Sequence, residues 1–512
     1  MKVVLLILYF AVLIGIGLYC RKHATDVDGF VLGGRSVGPW LTAFAYGTSY
    51  FSAVVFVGYA GQFGWKYGIA ATWAGIGNAL IGSLMAWFIL GRRTRIMTRH
   101  LDTATMPQFF EKRFGSSSLK IGAAIIIFIF MIPYTASLYN GLSRLFGMAF
   151  DIDYSVCILL MAVLTAVYVI AGGYMATAIN DFIQGIVMLI GISAVIYAVL
   201  ETKGGFVNAL DGLARITDDK VSSTPGIFAS FFGTDPLNLL FVVILTSLGT
   251  WGLPQMVQKF YAIKNEQAIQ KGTVISTLFA FVVAGGCYFL GGFGRLFSDQ
   301  IDIAANGYDS IVPTMLSGLS EGMIALVVIL VLSASMSTLS SLVIVSASTL
   351  TLDLIKDNFA KNMKESNQVL LIRILVVVFI AISAVLALVQ YKSSVNFIAQ
   401  LMGVSWGAMA GAFLAPFMYS LYSKKVSTAS CWACFLFGSV LMTANMLIRP
   451  AFPAIMQSPI NAGAIAMLAG LIIVPIVSAI TSPPDKNLVD DAFKCYEEKV
   501  TVPLSTALDS EK

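Results

Sequence analysis

Charge is what this sequence has least of. Only 12% of its 512 residues are Asp, Glu, Lys or Arg, whereas soluble domains carry about 25%. Too few charges remain to clothe a water-soluble surface, and that class is excluded. Histidine is scarcer still. Two residues leave a His-based metal centre or a Ser-His-Asp triad almost no material. The six cysteines lie mostly within apolar runs. Cys431 and Cys434 form a CxxC spacing inside one such run, where small packing residues are expected in place of a metal or redox pair. No GxxxxGK[ST] phosphate loop occurs, so active pumping by this chain must draw on a gradient. Nor does any nucleophile–base pair emerge, and an enzyme is not expected.

What the sequence has in abundance is apolar surface: 58% of residues are hydrophobic and mean hydropathy is +0.84. A membrane crossing needs about 20 predominantly apolar residues. By that rule about thirteen spans are expected, over 3–20, 38–62, 67–90, 119–147, 154–172, 176–200, 236–262, 272–297, 320–352, 369–390, 396–422, 428–447 and 459–480. The chain thus reads as an all-α, multi-pass protein of the cell membrane, with the lipid bilayer as its solvent. Its longest gaps are the loops near 92–118 and 201–235 and a charged tail after Thr481, expected to be a solvated end. The first span is expected to be retained, because Arg21 and Lys22 follow its apolar run and no small-residue cleavage site appears.

Orientation follows from Lys and Arg. With thirteen spans and the N-terminus outside, most of the 32 basic residues fall on the cytoplasmic side, among them Arg92, Arg93, Arg95, Arg99, Lys259, Lys264 and Lys356. The C-terminus is then cytoplasmic. Membrane topology accounts for the net charge of +5, and nucleic acid is not expected as a partner. The sequence carries no signature of an oligomeric state.

Two spans are interrupted. One contains Ala45-Tyr46-Gly47-Thr48-Ser49-Tyr50-Phe51-Ser52, the other Thr246-Ser247-Leu248-Gly249-Thr250-Trp251-Gly252-Leu253-Pro254-Gln255. Inside a helix Gly costs about 1 kcal/mol and Pro about 3 kcal/mol, and in lipid the freed backbone groups must find other partners. Simple kinking and close packing through small residues are one explanation. Their placement supports another. With the first span set aside, they open two five-helix halves, and paired broken helices in inverted repeats mark a transporter's central site. The single transmembrane domain, 1–512, then divides into an extra N-terminal helix and loop (1–37), a first repeat (38–200), an extracellular loop (201–235), a second repeat (236–422), two C-terminal helices (423–480) and a tail (481–512).

Asp181 is the one carboxylate well inside a span. Intramembrane carboxylates are costly and usually functional; snorkelling to the interface is the competing reading. The run 333–348, SASMSTLSSLVIVSAS, is half Ser and Thr. Ser333, Ser337, Ser340 and Ser341 follow the spacing of one helix face, with Thr338 beside it. Such hydroxyls can satisfy themselves on the preceding turn or permit close packing. A contiguous stripe at mid-depth fits better with a hard cation held by neutral oxygens and by carbonyls freed at a helix break.

These segments resemble the sodium:solute symporter family, to which the sodium/proline and sodium/glucose symporters belong. The match lies in GGRSVGPWLTAFAYGTSYFSAVVFVG, GGYMATAINDFIQG, GLPQMVQKFYAIK and SMSTLSSLVIVSASTLTLDLIK, and extends over nearly the whole chain. The resemblance implies a LeuT-like 5+5 inverted repeat with one extra N-terminal and two extra C-terminal helices. It implies a sodium site made by the carbonyls of Thr48, Phe51 and Ala334 and the hydroxyls of Ser337 and Thr338. It also implies a second sodium position at Asp181, Ser340 and Ser341, with Ser337 shared. Proline-type members carry an aspartate where Tyr50 stands here, a departure that removes a carboxylate from the first core helix and counts against a proline-specific reading. Tyr134 aligns with an aromatic of the proline symporters. Tyr50, Ser52, Phe56, Thr250, Trp251 and Gln255 are further solute-contact candidates. Phe51 doubles as one of them.

The expected function is secondary active transport: symport of a small organic solute (amino acid, sugar or carboxylate) with one or two Na⁺ as coupling ion and no other cofactor. Proton coupling through Asp181 is the alternative within transport, and a transporter-like sensor or receptor the alternative outside it.

Overall fold

A computed structural model of the protein describes residues 2–150, 153–219, 221–392 and 398–497. Among these, all regular elements are helical. The main ones are α1 (Lys2–Cys20), α2 (Pro39–Tyr50), α3 (54–67), α4 (72–100), α5 (Ser117–Phe150), α6 (Tyr154–Glu201), α7 (Pro236–Gly252), α8 (Pro254–Ala262), α9 (Glu266–Gly291), α10 (Glu321–Thr349), α11 (Glu365–Lys392), α12 (Ile398–Tyr422), α13 (Thr428–Leu447), α14 (Pro459–Ile480) and α15 (Lys486–Lys494). Nine helices among the described residues are long and apolar enough to cross a membrane, or ten with the bent pair α7–α8.

Two of those nine, Val54–His100 with 47 residues and Tyr154–Glu201 with 48, exceed twice the length of one crossing. Each contains a glycine in a conformation closed to other residues. Gly68 (φ 64°, ψ −143°) ends α3. Gly173 (φ 56°, ψ −152°) divides α6 at the boundary expected from the sequence. Local signals set other boundaries. Ser427 caps α13, its hydroxyl accepting from Ser430 N at 3.1 Å, and Pro459 stands in the first turn of α14. The span expected over 272–297 runs instead over Glu266–Gly291, because Asn265 caps it by accepting from Ala268 N at 2.9 Å. The span expected to stop near 90 continues to His100, carrying its arginines on helical turns.

α10 is the centre of the molecule. It packs against α6, α5, α11 and α2, and every residue from Leu330 to Thr349 is buried. α1 lies along α6, while α12, α13 and α14 pack together, with α12 also meeting α5 and α7. The part of the tail within the described residues, 481–497, carries a helix that packs on the rest of the protein. α15 docks on the loops through Lys424 Nζ–Asp490 at 2.8 Å, and Tyr496 OH donates to Arg93 O at 3.1 Å. Val489, Ala492 and Phe493 form its buried face.

Candidate functional site

The first broken helix stops at Phe51, whose backbone is extended (φ −89°, ψ 120°). The last carbonyls of α2 therefore have no partner four residues on, and the negative end of its dipole points at the gap. α10 crosses this gap with its hydroxyls. Ser337 Oγ lies 3.1 Å from Thr48 O and 3.0 Å from Ala334 O. Thr338 Oγ1 lies 3.2 Å from Thr48 O, 3.3 Å from Phe51 O and 3.1 Å from Ala334 O. The five residues expected to share an ion thus meet, each 1% exposed or less.

Proton counting says what this cradle can hold. Its two hydroxyls carry one proton each, against five close oxygen–oxygen contacts. At most two can be full two-centre hydrogen bonds, so in the others a proton is shared or lone pairs face one another. A hard cation with oxygen ligands relieves that repulsion without requiring a charged side chain. Ser335 Oγ completes the crossing by accepting from Ala53 N at 3.2 Å.

The carboxylate of Asp181 is fully buried, and neither of its oxygens has a hydrogen-bond partner among the described residues. Its charged neighbour is Lys259 of α8, whose Nζ lies 3.9 Å from Oδ2 and is itself 1% exposed. Lys259 Nζ donates to Ser341 Oγ at 3.0 Å, and Ser341 Oγ is 3.1 Å from Ser49 Oγ. Ser340 Oγ, in contrast, donates to Ser337 O at 2.9 Å in its own helix. One helical turn beyond Asp181, Gln184 Nε2 donates to Tyr9 OH of α1 at 3.0 Å, so the extra N-terminal helix covers this cluster. Sequence alone counts Lys259 among the cytoplasmic charges, and the structure buries it. Its position in GLPQMVQKFYAIK was visible, but its depth was not.

The second break repeats the first. Leu253 is extended (φ −83°, ψ 121°) between α7 and α8, which meet at 46°. Gln255, in the first turn of α8, is fully buried with both amide atoms unpartnered, and Ser52 Oγ at the first break is likewise buried and unpartnered. Buried polar groups in that state call for a ligand or water. Tyr134 and Trp406, a residue not foreseen from the sequence, meet edge to face at 6.0 Å. The donors of Thr250 and Trp251 are directed elsewhere: Thr250 Oγ1 approaches Gly82 O at 3.0 Å and Ser247 O at 2.9 Å, and Trp251 Nε1 reaches Ile81 O at 3.0 Å. Both side chains tie α7 to α4. Phe56 is buried in the apolar core, and the side chain of Tyr50 lies outside the described residues.

Comparison with known proteins places the chain in a family and a fold. The osmoregulated proline transporter OpuE of Bacillus subtilis (strain 168) is 28% identical over 483 residues, 94% of each chain. Sodium/proline symporter 2 of Staphylococcus saprophyticus is 29% identical over 450 residues, 86% of this chain and 84% of that one. In structure, a Na⁺-coupled sialic acid symporter in a substrate-bound, outward-open state matches with a TM-score of 0.73 at 15% identity, over 95% of this chain and 99% of that one. Mhp1 in an inward-facing conformation matches at 0.53 and 13% identity, over 91% and 96%. At such identities these two establish a shared LeuT-like fold alone. Residues 30–438 match the sodium:solute symporter family. The chain belongs to that family, and is a multi-pass membrane transporter that couples solute movement to sodium.

Proposed function

We propose that the coupling sodium binds in the cradle of Thr48, Phe51, Ala334, Ser337 and Thr338, bridging the broken helix α2–α3 to α10, and that the solute binds between the two breaks. The observation that carries this reading is the crowding of three carbonyls and two hydroxyls around Thr338 with only two protons to share. The solute is a small organic molecule with polar groups for Gln255 and Ser52 and an apolar part for Tyr134 and Trp406. The proline transport named for its relatives makes proline the first compound to test. Asp181, Ser340 and Ser341 are the second cation position of the same reading. In the membrane we infer thirteen crossings, with Gly68 and Gly173 as turning points, the N-terminus outside and the C-terminus in the cytoplasm.

A ligand shifts a conformational equilibrium only by its difference in affinity for the two states. Sodium in the cradle holds α10 against the first break. Rocking that separates the two dismantles the site and releases the ion inward, which ties solute movement to the sodium gradient. Uptake of labelled proline and other small solutes into proteoliposomes under a sodium gradient tests this. The Ser337→Ala, Thr338→Ala double variant should lose sodium-dependent uptake. Unchanged sodium dependence in that variant would sink the assignment.

A further inference from the structure

Resting on that reading, we propose that the second cation position is taken by the chain's own Lys259, so that the transporter binds a single sodium and keeps the other positive charge tethered to α8. The donor set at Asp181 does not suit a second free ion. Of the hydroxyls that would hold it, Ser341 Oγ already accepts from Lys259 Nζ at 3.0 Å and is 3.1 Å from Ser49 Oγ. Ser340 Oγ donates its proton to Ser337 O at 2.9 Å and keeps lone pairs free, so the obstacle lies at Ser341 and at the carboxylate. The remaining ligand, the carboxylate, has the ammonium 3.9 Å away. A sodium touching both Asp181 and Ser341 would lie beside that ammonium, like charge against like charge.

Charge balance points the same way. Among the described residues, Asp181 and Lys259 are each other's charged neighbours, with no third ion facing the pair. As an ion pair they cancel each other's charge in an interior where both are at most 1% exposed. A sodium added there would leave one positive charge uncompensated in a low-dielectric setting. The ring of Tyr174, 4.9 Å from Nζ, gives the ammonium a further favourable face.

The tethered cation also joins moving parts. Lys259 follows the second break, Ser49 adjoins Thr48 at the first break, Ser341 is on α10 and Asp181 on α6. The ammonium therefore ties the second broken helix to α10 and α6, and through Ser341 the link reaches Ser49 of the first. A released sodium would leave the protein in each cycle, whereas this charge stays with α8.

Equilibrium binding of ²²Na⁺ to purified, monodisperse protein tests the inference, with sodium bound per chain as the readout. The wild type should bind one sodium with a Hill coefficient near one, and Asp181→Asn should still bind one. Lys259→Gln should bind a second sodium, lost again when Ser340→Ala or Asp181→Asn is added. Lys259→Arg should stay at one. Two sodiums in the wild type, falling to one in Asp181→Asn, would overturn the inference, as would a folded Lys259→Gln protein that still binds one. Should Lys259→Gln fail to fold, the wild type and Asp181→Asn decide between one and two. The reading of the cradle fails separately: there, the bound sodium would survive Ser337→Ala with Thr338→Ala.

Discussion

The two helix breaks share one backbone geometry and have different causes. Phe51 sits at φ −89°, ψ 120° and Leu253 at φ −83°, ψ 121°. At the second break the cause is local. Pro254 follows Leu253 and pushes it out of the helical region by steric clash, while the new helix begins with proline where a missing N–H costs nothing. Close packing then holds the site: a Cβ on Gly252 would come within 2.8 Å of Ala410 Cα and Leu414 N. The first break has no proline. Phe51 is kept extended by the hydroxyls of α10, Thr338 against its carbonyl and Ser335 on the amide of Ala53. A break imposed by covalent structure persists in every state of a transport cycle. One imposed by neighbours depends on where α10 stands and on what lies between. The ion cradle is built at the second kind, the kind that can come apart.

The largest effect expected from this difference concerns Thr338. Thr338→Val keeps the volume and removes the oxygen facing three carbonyls. Hydrogen bonds to charged groups are worth about 1.5–3 kcal/mol, so sodium half-saturation should rise about tenfold to a hundredfold. Sodium titration of solute uptake measures it, and a shift below about twofold would mean that the first break does not depend on this hydroxyl. Next is Pro254→Ala, which lowers the cost of continuing the helix through the second break by about 3 kcal/mol. Solute affinity should fall severalfold as Gln255 moves, with sodium affinity held within about twofold. Unaltered solute binding would assign that break to the Gly252 packing alone. The smallest effect belongs to Thr250→Val, which removes the tie to Gly82 O. A stability loss of about 1 kcal/mol is expected, read as a lower unfolding temperature with sodium affinity unchanged.

Much of this was legible because the physics is short-range. The hydropathy of a span, a proline at position 254 or 459, a glycine at 173 and a Ser or Asn cap at 427 or 265 each act within a turn of their own position. Hydropathy alone placed most helices to within a few residues, and the unread cap at Asn265 is why the span expected over 272–297 runs over Glu266–Gly291. The hydroxyl run and the breaks were also legible as chemistry in the wrong solvent, since lipid tolerates freed carbonyls and stacked hydroxyls only with partners. What resisted reading was depth and direction. Lys259 looked like one more cytoplasmic charge, because whether the last turn of α8 ends in water or inside the protein depends on the 46° bend above it. That the donors of Thr250 and Trp251 reach carbonyls of α4 was likewise not written near them in the chain. Within the described part of the tail, the charge pattern hid that α15 packs an apolar face on the protein.

By itself, the sequence determined that the chain lives in lipid, where its helices break, and which oxygens were in surplus, since each follows from residue chemistry and local sterics. Only the tertiary structure decided which surplus oxygens meet. Thr48 and Ser337 are 289 residues apart in the chain, and Lys259 and Ser341 are 82. Their contacts exist because α10, buried on every side, brings one face to the first break and another to α8. No residue announces that packing in its own neighbourhood, because it arises from the helices closing around α10 together.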